Sequence, residues 1–400
     1  MKRGPKIRNT TIPGFKFAGI PAGIKKSGNR DLALIYSECP AVTVGLFTTN
    51  RIKAAPVKLA IKNISSGKAQ AIIINSGNAN ACTGEKGMKA AREIMTSTAH
   101  ELGISPGLVY SSSTGIIGRP FPVETIKKAL PDLIKKLSPL SLKHTASSIM
   151  TTDTFAKISF KQIEIGGRKG TIAGIAKGAG MICPNMATML CFIVTDIAIN
   201  PQALDAALRE AASRSFNMLS VDNDMSTNDT VMIMANGRLN NPLITKRSPD
   251  YSIFKSALNE ISYDLARMIA EDGEGATKLI EVIVKGARSK SDAGKIALSV
   301  ANSMLVKTAV YGRDPNWGRI MAAIGYSGIA VNENKIDISL NKVKLVSNGM
   351  GTGKEKTARN ALLTKNIIIT IELGNGKESA RALTCDLTEG YIKINAHYST

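Results

Sequence analysis

Short runs rich in Ile, Val, Thr and Phe recur along this chain, and segments with the apolar spacing of helices lie between them. This alternation predicts a layered α/β or α+β protein, in which helices cover the faces of sheets. The order of the strands does not follow from spacing alone. The predicted strands cover residues 33–37, 43–49, 69–74, 157–165, 189–199, 229–234, 279–284 and 366–373.

Local turn and capping residues sharpen the prediction. Gly103 stops one helical pattern, and Asn200 followed by Pro201 is typical of a helix start. Gly166 and Gly167 lie between two β-prone runs and predict a hairpin. The predicted helices cover residues 86–102, 201–216, 249–271 and 292–310.

Composition narrows the class of protein. The chain has 400 residues, 44% of them hydrophobic, which is ordinary for a folded protein and enough for a large core. The sequence contains no run of about 18 apolar residues, so no membrane span is predicted. The basic first 30 residues lack the apolar stretch of a secretory signal. Five dispersed cysteines without a CxxC pair predict neither a disulfide framework nor a zinc site, and a cytoplasmic location fits best.

The positive charge is concentrated in the first half of the chain. Residues 1–187 hold 27 Lys and Arg against 9 Asp and Glu, whereas residues 188–400 hold 25 against 22. Such asymmetry is found in nucleic-acid-binding proteins, but also in solvated basic faces and in proteins that attract anionic metabolites. Only 4% of the residues are aromatic, so few stacking platforms exist, and we expect no nucleic-acid partner.

Residues 177–190 carry the most chemical information, with the sequence KGAGMICPNMATML. Thr188 stands between a Gly- and Pro-containing loop and a β-prone run. Attack of its hydroxyl on the Ala187 carbonyl would give an ester, and hydrolysis would leave Thr188 with a free α-amine. An α-amine has a pKa of about 8 and can act as the base for its own hydroxyl. On this segment alone, a glycine turn before a core strand is the simpler interpretation.

The chain resembles the ornithine acetyltransferase/glutamate N-acetyltransferase family of arginine biosynthesis. Residues 177–190 are similar to its self-cleavage segment, and further similar segments follow in order along nearly the whole chain. These segments are 45–50 (GLFTTN), 75–80 (NSGNAN), 112–118 (SSTGIIG), 150–154 (MTTDT), 226–231 (STNDTV), 272–278 (DGEGATK) and 314–319 (DPNWGR), together with Asn395 and Thr400 at the end.

The resemblance implies a layered αββα fold, of a superfamily shared with some self-processing aminopeptidases. It also implies self-cleavage between Ala187 and Thr188. The products would be an α chain of residues 1–187 and a β chain of residues 188–400 with Thr188 at its N-terminus. The two chains would stay associated, as a heterotetramer or a larger assembly.

The reaction implied is acetyl transfer from N2-acetyl-L-ornithine to L-glutamate, which gives L-ornithine and N-acetyl-L-glutamate. Thr188 would carry the acetyl group as an ester between the two half-reactions. No cofactor or metal is expected, although some members of the family also accept acetyl-CoA as a donor. Two alternative functions remain. One is an N-terminal-nucleophile amidohydrolase or aminopeptidase that transfers the acyl group to water. The other is a basic nucleic-acid-binding protein.

The resemblance assigns site residues by their matching positions. Thr114 and Gly115 match the pair that forms the oxyanion hole. We expect Lys177 to face a substrate carboxylate and Glu274 to face an amine, because both substrates are charged amino acids and buried charges need partners. The positions that match the family's substrate-binding residues are Thr154, Lys177, Thr188, Glu274, Asn395 and Thr400.

Several other residues receive structural interpretations. Asp222, Asp224 and Asp229 do not have the spacing of an EF-hand and indicate turns before a strand. Trp317 is expected in a turn that leads into a helix. Ala179 stands where many relatives have serine, and Cys183 lies at a position that varies in the family; neither removes a proposed catalytic group.

Overall fold

The structure, a computed structural model, describes residues 11–184 and 189–397. Strands and helices alternate through both parts. The strands are β1 Phe15–Ile20, β2 Leu32–Phe47, β3 Lys68–Asn78, β4 Val109–Ile116, β5 Lys157–Ile165, β6 Arg168–Lys177, β7 Leu190–Thr195, β8 Thr230–Ala235, β9 Leu279–Ala287, β10 Asp337–Leu340, β11 Val343–Ser347, β12 Met350–Gly351, β13 Asn366–Glu372 and β14 Glu378–Cys385. The helices are α1 Ala55–Asn63, α2 Gly84–Leu102, α3 Val123–Lys135, α4 Leu142–Ser148, α5 Pro201–Arg214, α6 Tyr251–Glu271, α7 Lys290–Asn302, α8 Met304–Tyr311, α9 Trp317–Gly325, α10 Glu355–Ala361 and α11 Glu389–His397.

The larger sheet has the order β4-β3-β2-β8-β7-β6-β5, with β1 paired to β2. Its long strand β2 takes part in two different pairings. Residues 32–36 pair with β1 and β3, and residues 42–47 pair with β8. The pairing with β3 is irregular between Tyr36 and Ala41. Strand β2 therefore passes from one sheet layer into a second one.

Alternating side chains show that the two layers face each other. On β3, Ile72 belongs to the same buried cluster as Phe192 of β7, which places both in the space between the layers. Their neighbours point outward: Ile73 packs with residues of α1, α2 and α3, and Ile193 packs with residues of α5 and α6. Period-two alternation thus buries both faces of each layer. The expectation of a layered αββα fold is confirmed.

The smaller sheet forms a second lobe in the last third of the chain. Its order is β12-β11-β10-β13-β9-β14, with β9 and β13 parallel. Its apolar face packs against α7, α8, α9 and α10 in a core of its own. At its base, Leu279, Leu383 and Cys385 join the core around α5 and α6. The lobe is therefore attached directly to the αββα layers.

Most predicted elements occur in the structure, with corrected boundaries. The Gly166-Gly167 hairpin is confirmed between β5 and β6, and both glycines have positive φ. The predicted strands 33–37 and 43–49 are one strand, β2, and the strand predicted to end at 199 ends at Thr195. Among the described residues, no helix combines the length and the apolar character of a membrane span.

The single helix predicted over residues 292–310 is wrong. Ser303 has an extended backbone, with ψ of 110°, and divides this segment into α7 and α8. Its hydroxyl accepts a hydrogen bond from the Val306 N–H at 3.3 Å. Serine competes for backbone donors in this way and favours helix starts over helix interiors.

The expected self-cleavage point falls between neighbouring strands. Strand β6 ends at Lys177, which pairs with Leu190 at the start of β7. The loop between them contains the predicted bond between residues 187 and 188. Division of the chain there would place β6 and β7 on different polypeptides, and likewise β2 and β8. Each pair of strands would remain hydrogen-bonded across the two polypeptides. The division into residues 1–187 and 188–400 itself stays a prediction.

Candidate active site

A polar pocket lies where β4 and β6 end, beside the segment that leads into β8 and the last helix, α11. Its lining includes residues from segments far apart in the sequence, among them Thr151, Asp222, Asn228 and Tyr391. The predicted site residues that the pocket brings together are Thr114, Gly115, Lys177, Glu274 and Asn395. This convergence makes it the candidate active site.

Thr114 and Gly115 lie in β4, next to the parallel strand β3. Gly115 has φ of +128° and lies so close to Gly77 that a Cβ would overlap its backbone. Only glycine fits this conformation and this close approach. The Asn228 amide fixes the strand by donating to the carbonyl oxygens of Ser113 and Ala79, both at 2.7 Å.

Lys177 is the last residue of β6 and is 3% exposed. Its Nζ donates to Thr114 Oγ1 at 3.2 Å. Burial lowers the pKa of Lys177, while the nearby Asp153, Asp229 and Glu274 act in the opposite direction. Because the Thr114 oxygen accepts from lysine, its own hydroxyl hydrogen is available to a group in the pocket.

Glu274 supplies a buried carboxylate, in the loop after α6. Its N–H donates to the Ala179 carbonyl oxygen at 2.9 Å, and its Oε2 accepts from the Asn395 amide at 2.8 Å. A Cβ on Gly180 would overlap the Glu274 carboxylate. The glycine-rich segment after Lys177 therefore lets this carboxylate approach the chain, and Ala179 contributes through its backbone oxygen.

Thr154 lies apart from the five predicted site residues that line the pocket. It is exposed, and both its N–H, at 2.9 Å, and its hydroxyl donate to the Asp272 carboxylate. It does not line the pocket described above. Since Asp272 precedes Glu274 by two residues, Thr154 acts on the segment that carries Glu274.

Next to Lys177, at the Gly178 N–H, lies a buried ion cluster that no pattern in the sequence indicates. The Lys157 ammonium lies 2.6 Å from Asp153 Oδ1 and 2.7 Å from Asp272 Oδ2, and all three side chains are 0% exposed or nearly so. Asp153 also accepts the Gly178 N–H at 2.7 Å. Burial alone would raise the pKa of Asp153, but Lys157, Lys177 and this N–H hold it well below its usual range.

The acidic residues interpreted as turns have long-range roles as well. Asp222 accepts the Asp224 N–H at 3.3 Å, as a turn residue does, but also the N–H groups of Met181 and Ile182 at 2.6 and 2.8 Å. Asp222 therefore holds the loop that follows β6. Asp229 holds the start of β7, where its Oδ1 accepts the Met189 N–H at 2.8 Å. The motif at 226–231 marked Asp229, but not its partner.

Cys183 and Trp317 behave as structural residues. Burial and the nearby acidic side chains raise the pKa of Cys183 to about 11, so its thiol is protonated at neutral pH and is a poor nucleophile. Trp317 begins α9 after the capping residue Asn316, as expected, and donates from Nε1 to Glu355 at 3.1 Å. Three predicted site residues, Ala187, Thr188 and Thr400, lie outside the described residues.

An αββα fold with a polar pocket that joins a threonine hydroxyl, a buried lysine and a buried carboxylate is typical of an acyl-transfer class of enzyme. The comparisons with known proteins specify the class further: the chain belongs to the ArgJ family, which it matches over residues 16–400. The family resemblance of the sequence is thereby confirmed.

Curated relatives match over all or nearly all of their length. The chain is 49% identical to the "Arginine biosynthesis bifunctional protein ArgJ" of Geobacter sulfurreducens, over 97% of this chain and 100% of the relative. It is 47% identical to the protein of the same name from Symbiobacterium thermophilum, over 98% of each chain. A solved structure of the arginine biosynthesis bifunctional protein from Bacillus halodurans is 44% identical, with a TM-score of 0.51, and covers 52% of this chain and 98% of that chain.

Proposed function

We propose that this chain is an acetyltransferase of arginine biosynthesis. It moves the acetyl group of N2-acetyl-L-ornithine to L-glutamate through an acetyl ester on Thr188. Membership in the ArgJ family supports the reaction. The observation that carries it in the structure is the pocket that joins Thr114, Lys177 and Glu274 at the end of the strand preceding the Thr188 loop.

The oxyanion site follows from the hydrogen bonds of Thr114. Acyl transfer passes through a tetrahedral intermediate whose oxygen gains negative charge, and donors aimed at that oxygen lower the barrier. Lys177 occupies the acceptor side of the Thr114 hydroxyl, so this hydroxyl is a donor toward the pocket. The close packing of Gly115 fixes the adjacent backbone. Both residues are therefore suited to stabilise the intermediate.

Charges of both signs in the pocket suit the two substrates. Lys177 provides the cation for a substrate carboxylate, and Glu274 provides an anion close to Asn395. Asp222 and Asp224 extend the acidic side of the pocket. N2-acetyl-L-ornithine has one free amine, at the end of its side chain, and we place that amine on the acidic side. The side chain of glutamate carries no amine, so the acidic side of the pocket distinguishes the acetyl donor from the acetyl acceptor.

Replacing Asp224 by asparagine tests this placement. We expect the KM for N2-acetyl-L-ornithine to rise by about two- to fivefold, the size of an exposed ion pair, because Asp224 is exposed. The KM for glutamate should stay unchanged. Steady-state kinetics with each substrate varied gives both values. Asp205→Asn is the matched control, since Asp205 is a surface residue of α5 paired with Arg209; an equal rise in both KM values contradicts the placement.

We also propose the two-chain organisation, with Thr188 as the second N-terminus. The solved family member from Bacillus halodurans supports it, because its chain is covered to 98% but corresponds to only 52% of this one. The pairing of β6 with β7 and of β2 with β8 supports lasting association of the two pieces. Association into a heterotetramer or a larger assembly, and a cytoplasmic location, belong to the same proposal.

The chemistry proposed here uses no cofactor and no metal, because the Thr188 hydroxyl, its α-amine and the oxyanion donors supply nucleophile, base and charge stabilisation. Acetyl-CoA is proposed as an additional donor. It would acylate the same Thr188 and would release CoA in place of ornithine.

Intact-mass analysis of the purified protein tests the proposed function. We expect two masses, which match residues 1–187 and 188–400. Incubation with N2-acetyl-L-ornithine alone should add one acetyl group to the 188–400 chain, and glutamate should remove it as N-acetyl-L-glutamate. Release of free acetate with glutamate present would favour the amidohydrolase. A fully active preparation with one undivided mass would contradict the proposal.

Replacing Thr114 by valine tests the oxyanion assignment. Valine has nearly the shape of threonine but no hydroxyl, so we expect kcat for acetyl transfer to fall by about 10²–10³-fold. Initial rates of N-acetyl-L-glutamate formation measure the effect. Thr114→Ser keeps the hydroxyl and should retain most of the activity. Equal rates in the serine and valine variants would remove Thr114 from the oxyanion site.

A further inference from the structure

Tyr391 lines the candidate active site, although no sequence motif marked it. It lies in the first turn of α11, and Asn395 follows one helical turn later, so both side chains project from the same face of the helix. The Asn395 amide donates to Glu274 Oε2 at 2.8 Å, and the Tyr391 hydroxyl donates to Asp222 Oδ2 at 3.3 Å. Helix α11 therefore bridges two carboxylates on the acidic side of the pocket.

Close backbone packing fixes Tyr391 beside the segment that carries Glu274. Gly275 has φ of +70°, and a Cβ on it would overlap the Tyr391 nitrogen. The Thr388 hydroxyl donates to the Gly275 carbonyl oxygen at 2.8 Å, and the Thr388 carbonyl oxygen accepts the Tyr391 N–H at 3.2 Å. Since Gly275 directly follows Glu274, these contacts hold the start of α11 against the chain next to that carboxylate.

The acceptor positions of Asp222 are already occupied. A carboxylate offers about four lone-pair positions for hydrogen bonds. Oδ2 accepts the Met181 N–H and the Tyr391 hydroxyl, and Oδ1 accepts the N–H groups of Ile182 and Asp224. A substrate in the pocket therefore finds no open acceptor on this carboxylate, and the phenol is the part of the pair that it can contact.

The Tyr391 oxygen can accept a hydrogen bond from the pocket. Burial raises the pKa of Tyr391 well above its usual range, and three nearby carboxylates act in the same direction, so the phenol keeps its proton at neutral pH. An oxygen that donates this proton to Asp222 still has lone pairs, and in the described part of the chain no group donates to it. The bond to a carboxylate polarises the phenol and makes its oxygen a better acceptor.

Glu274 offers a second acceptor in the same part of the pocket. Its Oε2 accepts from Asn395, whereas its Oε1 accepts no hydrogen bond from the residues that the structure describes. A primary ammonium has three N–H donors, so it can donate to both open oxygens at once. Together, Tyr391 Oη and Glu274 Oε1 suit an ammonium group and not a carboxylate or a methyl group.

We propose that Tyr391 determines specificity for the acetyl donor: its Oη accepts a hydrogen bond from the terminal ammonium of N2-acetyl-L-ornithine, and Glu274 Oε1 accepts a second one. This inference rests on the acetyl transfer proposed above and names the groups that recognise the amine of the donor. Asp222 contributes its charge through the Tyr391 hydroxyl rather than by contact with the substrate. The glutamate side chain, which has no amine, does not use this contact.

Tyr391→Phe tests the inference with two acetyl donors. Phenylalanine keeps the ring and removes only the hydroxyl. N2-acetyl-L-norleucine has a methyl group in place of the terminal ammonium of N2-acetyl-L-ornithine. We expect Tyr391→Phe to lower kcat/KM for N2-acetyl-L-ornithine by about tenfold or more, as loss of a hydrogen bond to a charged group does. The value for N2-acetyl-L-norleucine should stay unchanged. No fall, or an equal fall for both donors, would overturn the inference, because a residue that only positions α11 acts on both donors alike.

The kcat/KM for glutamate gives a second readout, which does not depend on the norleucine compound. It reports the half-reaction that follows release of ornithine, so Tyr391→Phe should leave it at the wild-type value. A fall equal to that for N2-acetyl-L-ornithine would overturn the inference.

Tyr263→Phe is the matched control. Tyr263 lies in α6, also donates to a carboxylate, that of Glu281 at 3.2 Å, and does not line the pocket. All of these kinetic constants should match the wild type in this variant, and equal losses in both tyrosine variants would contradict a specific role for Tyr391. A wild-type protein that forms no N-acetyl-L-glutamate from N2-acetyl-L-ornithine would overturn the proposed function itself. An active wild type with an unaltered Tyr391→Phe variant would overturn the role of Tyr391 alone.

Discussion

Replacing Thr188 by alanine is expected to give one folded, inactive polypeptide. Alanine has no hydroxyl to attack the Ala187 carbonyl, so the chain stays whole, and it has none to carry the acetyl group. Loss of a nucleophile lowers catalysis by at least about 10⁴-fold. A denaturing gel reports the single chain, and formation of N-acetyl-L-glutamate reports the activity. Because β6 and β7 pair in either state, the thermal melting of the variant should stay close to that of the wild type.

Thr188→Ser is the control for this prediction. Serine keeps the hydroxyl and, after cleavage, the adjacent α-amine, so the variant should still divide and still transfer acetyl groups. A Thr188→Ala protein that transfers acetyl at the wild-type rate would contradict the mechanism. An alanine variant that divides normally would contradict self-cleavage by this residue but would leave the transfer reaction open.

The alternation of strands and helices was predictable because several strands are locally encoded, whereas the αββα layering was implied only by the family resemblance. Strands β3 and β5, and the hairpin at Gly166 and Gly167, appear in the sequence as β-prone runs and turn residues. The passage of β2 between two layers was not predictable, because it depends on which strands pair with residues 32–36 and 42–47. Pairing between distant strands leaves no periodic signal in either of them.

The break at Ser303 shows a different limit. Apolar spacing continues from α7 into α8, so the pattern alone favours one helix, whereas the capping hydrogen bond of a single hydroxyl decides for two. Serine occurs inside helices as well as at their starts, and its sequence context here did not distinguish the two cases.

The candidate site was predictable only through the family motifs. Thr114, Lys177 and Glu274 lie far apart in the chain, and nothing in their local sequence indicates that they share a pocket. The sequence analysis predicted only a Gly- and Pro-containing loop before Thr188, whereas the structure shows that Gly180 of this loop lies against the Glu274 carboxylate. The interpretation of Asp222 as a turn residue likewise missed its contacts with Met181 and Ile182, because these residues are about 40 positions away in the sequence.

Lys157 is the clearest residue that sequence reasoning missed. A lysine in a predicted strand is normally a surface residue, because buried lysines are rare. This one is buried because Asp153 and Asp272 both reach its ammonium group. Asp153 lies four residues before it, in a loop, and Asp272 follows α6, more than a hundred residues later. Only the fold brings the three charges together.

Replacing Lys157 by methionine should therefore destabilise the protein strongly. Methionine fills a similar volume, but it removes the ammonium group that contacts both buried carboxylates and leaves them next to each other. Removal of one partner from a buried ion pair typically lowers the free energy of unfolding by about 3–5 kcal/mol. Urea unfolding followed by circular dichroism measures the loss. The Thr188→Ala background keeps the chain in one piece, so that both proteins unfold without separation of two polypeptides.

Lys161→Met is the matched control, because Lys161 lies on the same strand, β5, and pairs with Glu260 at the surface. An exposed ion pair contributes about 0–1 kcal/mol, so this variant should unfold close to the parent protein.

The buried cluster also contacts the site. Asp153 accepts the Gly178 N–H, next to Lys177, and Asp272 accepts the Thr154 N–H. In the protein that keeps Thr188, Lys157→Met should therefore lower kcat for acetyl transfer as well as the free energy of unfolding. Equal unfolding of the two lysine variants would show that the buried cluster does not stabilise the fold, and an unchanged kcat would show that it does not support the site.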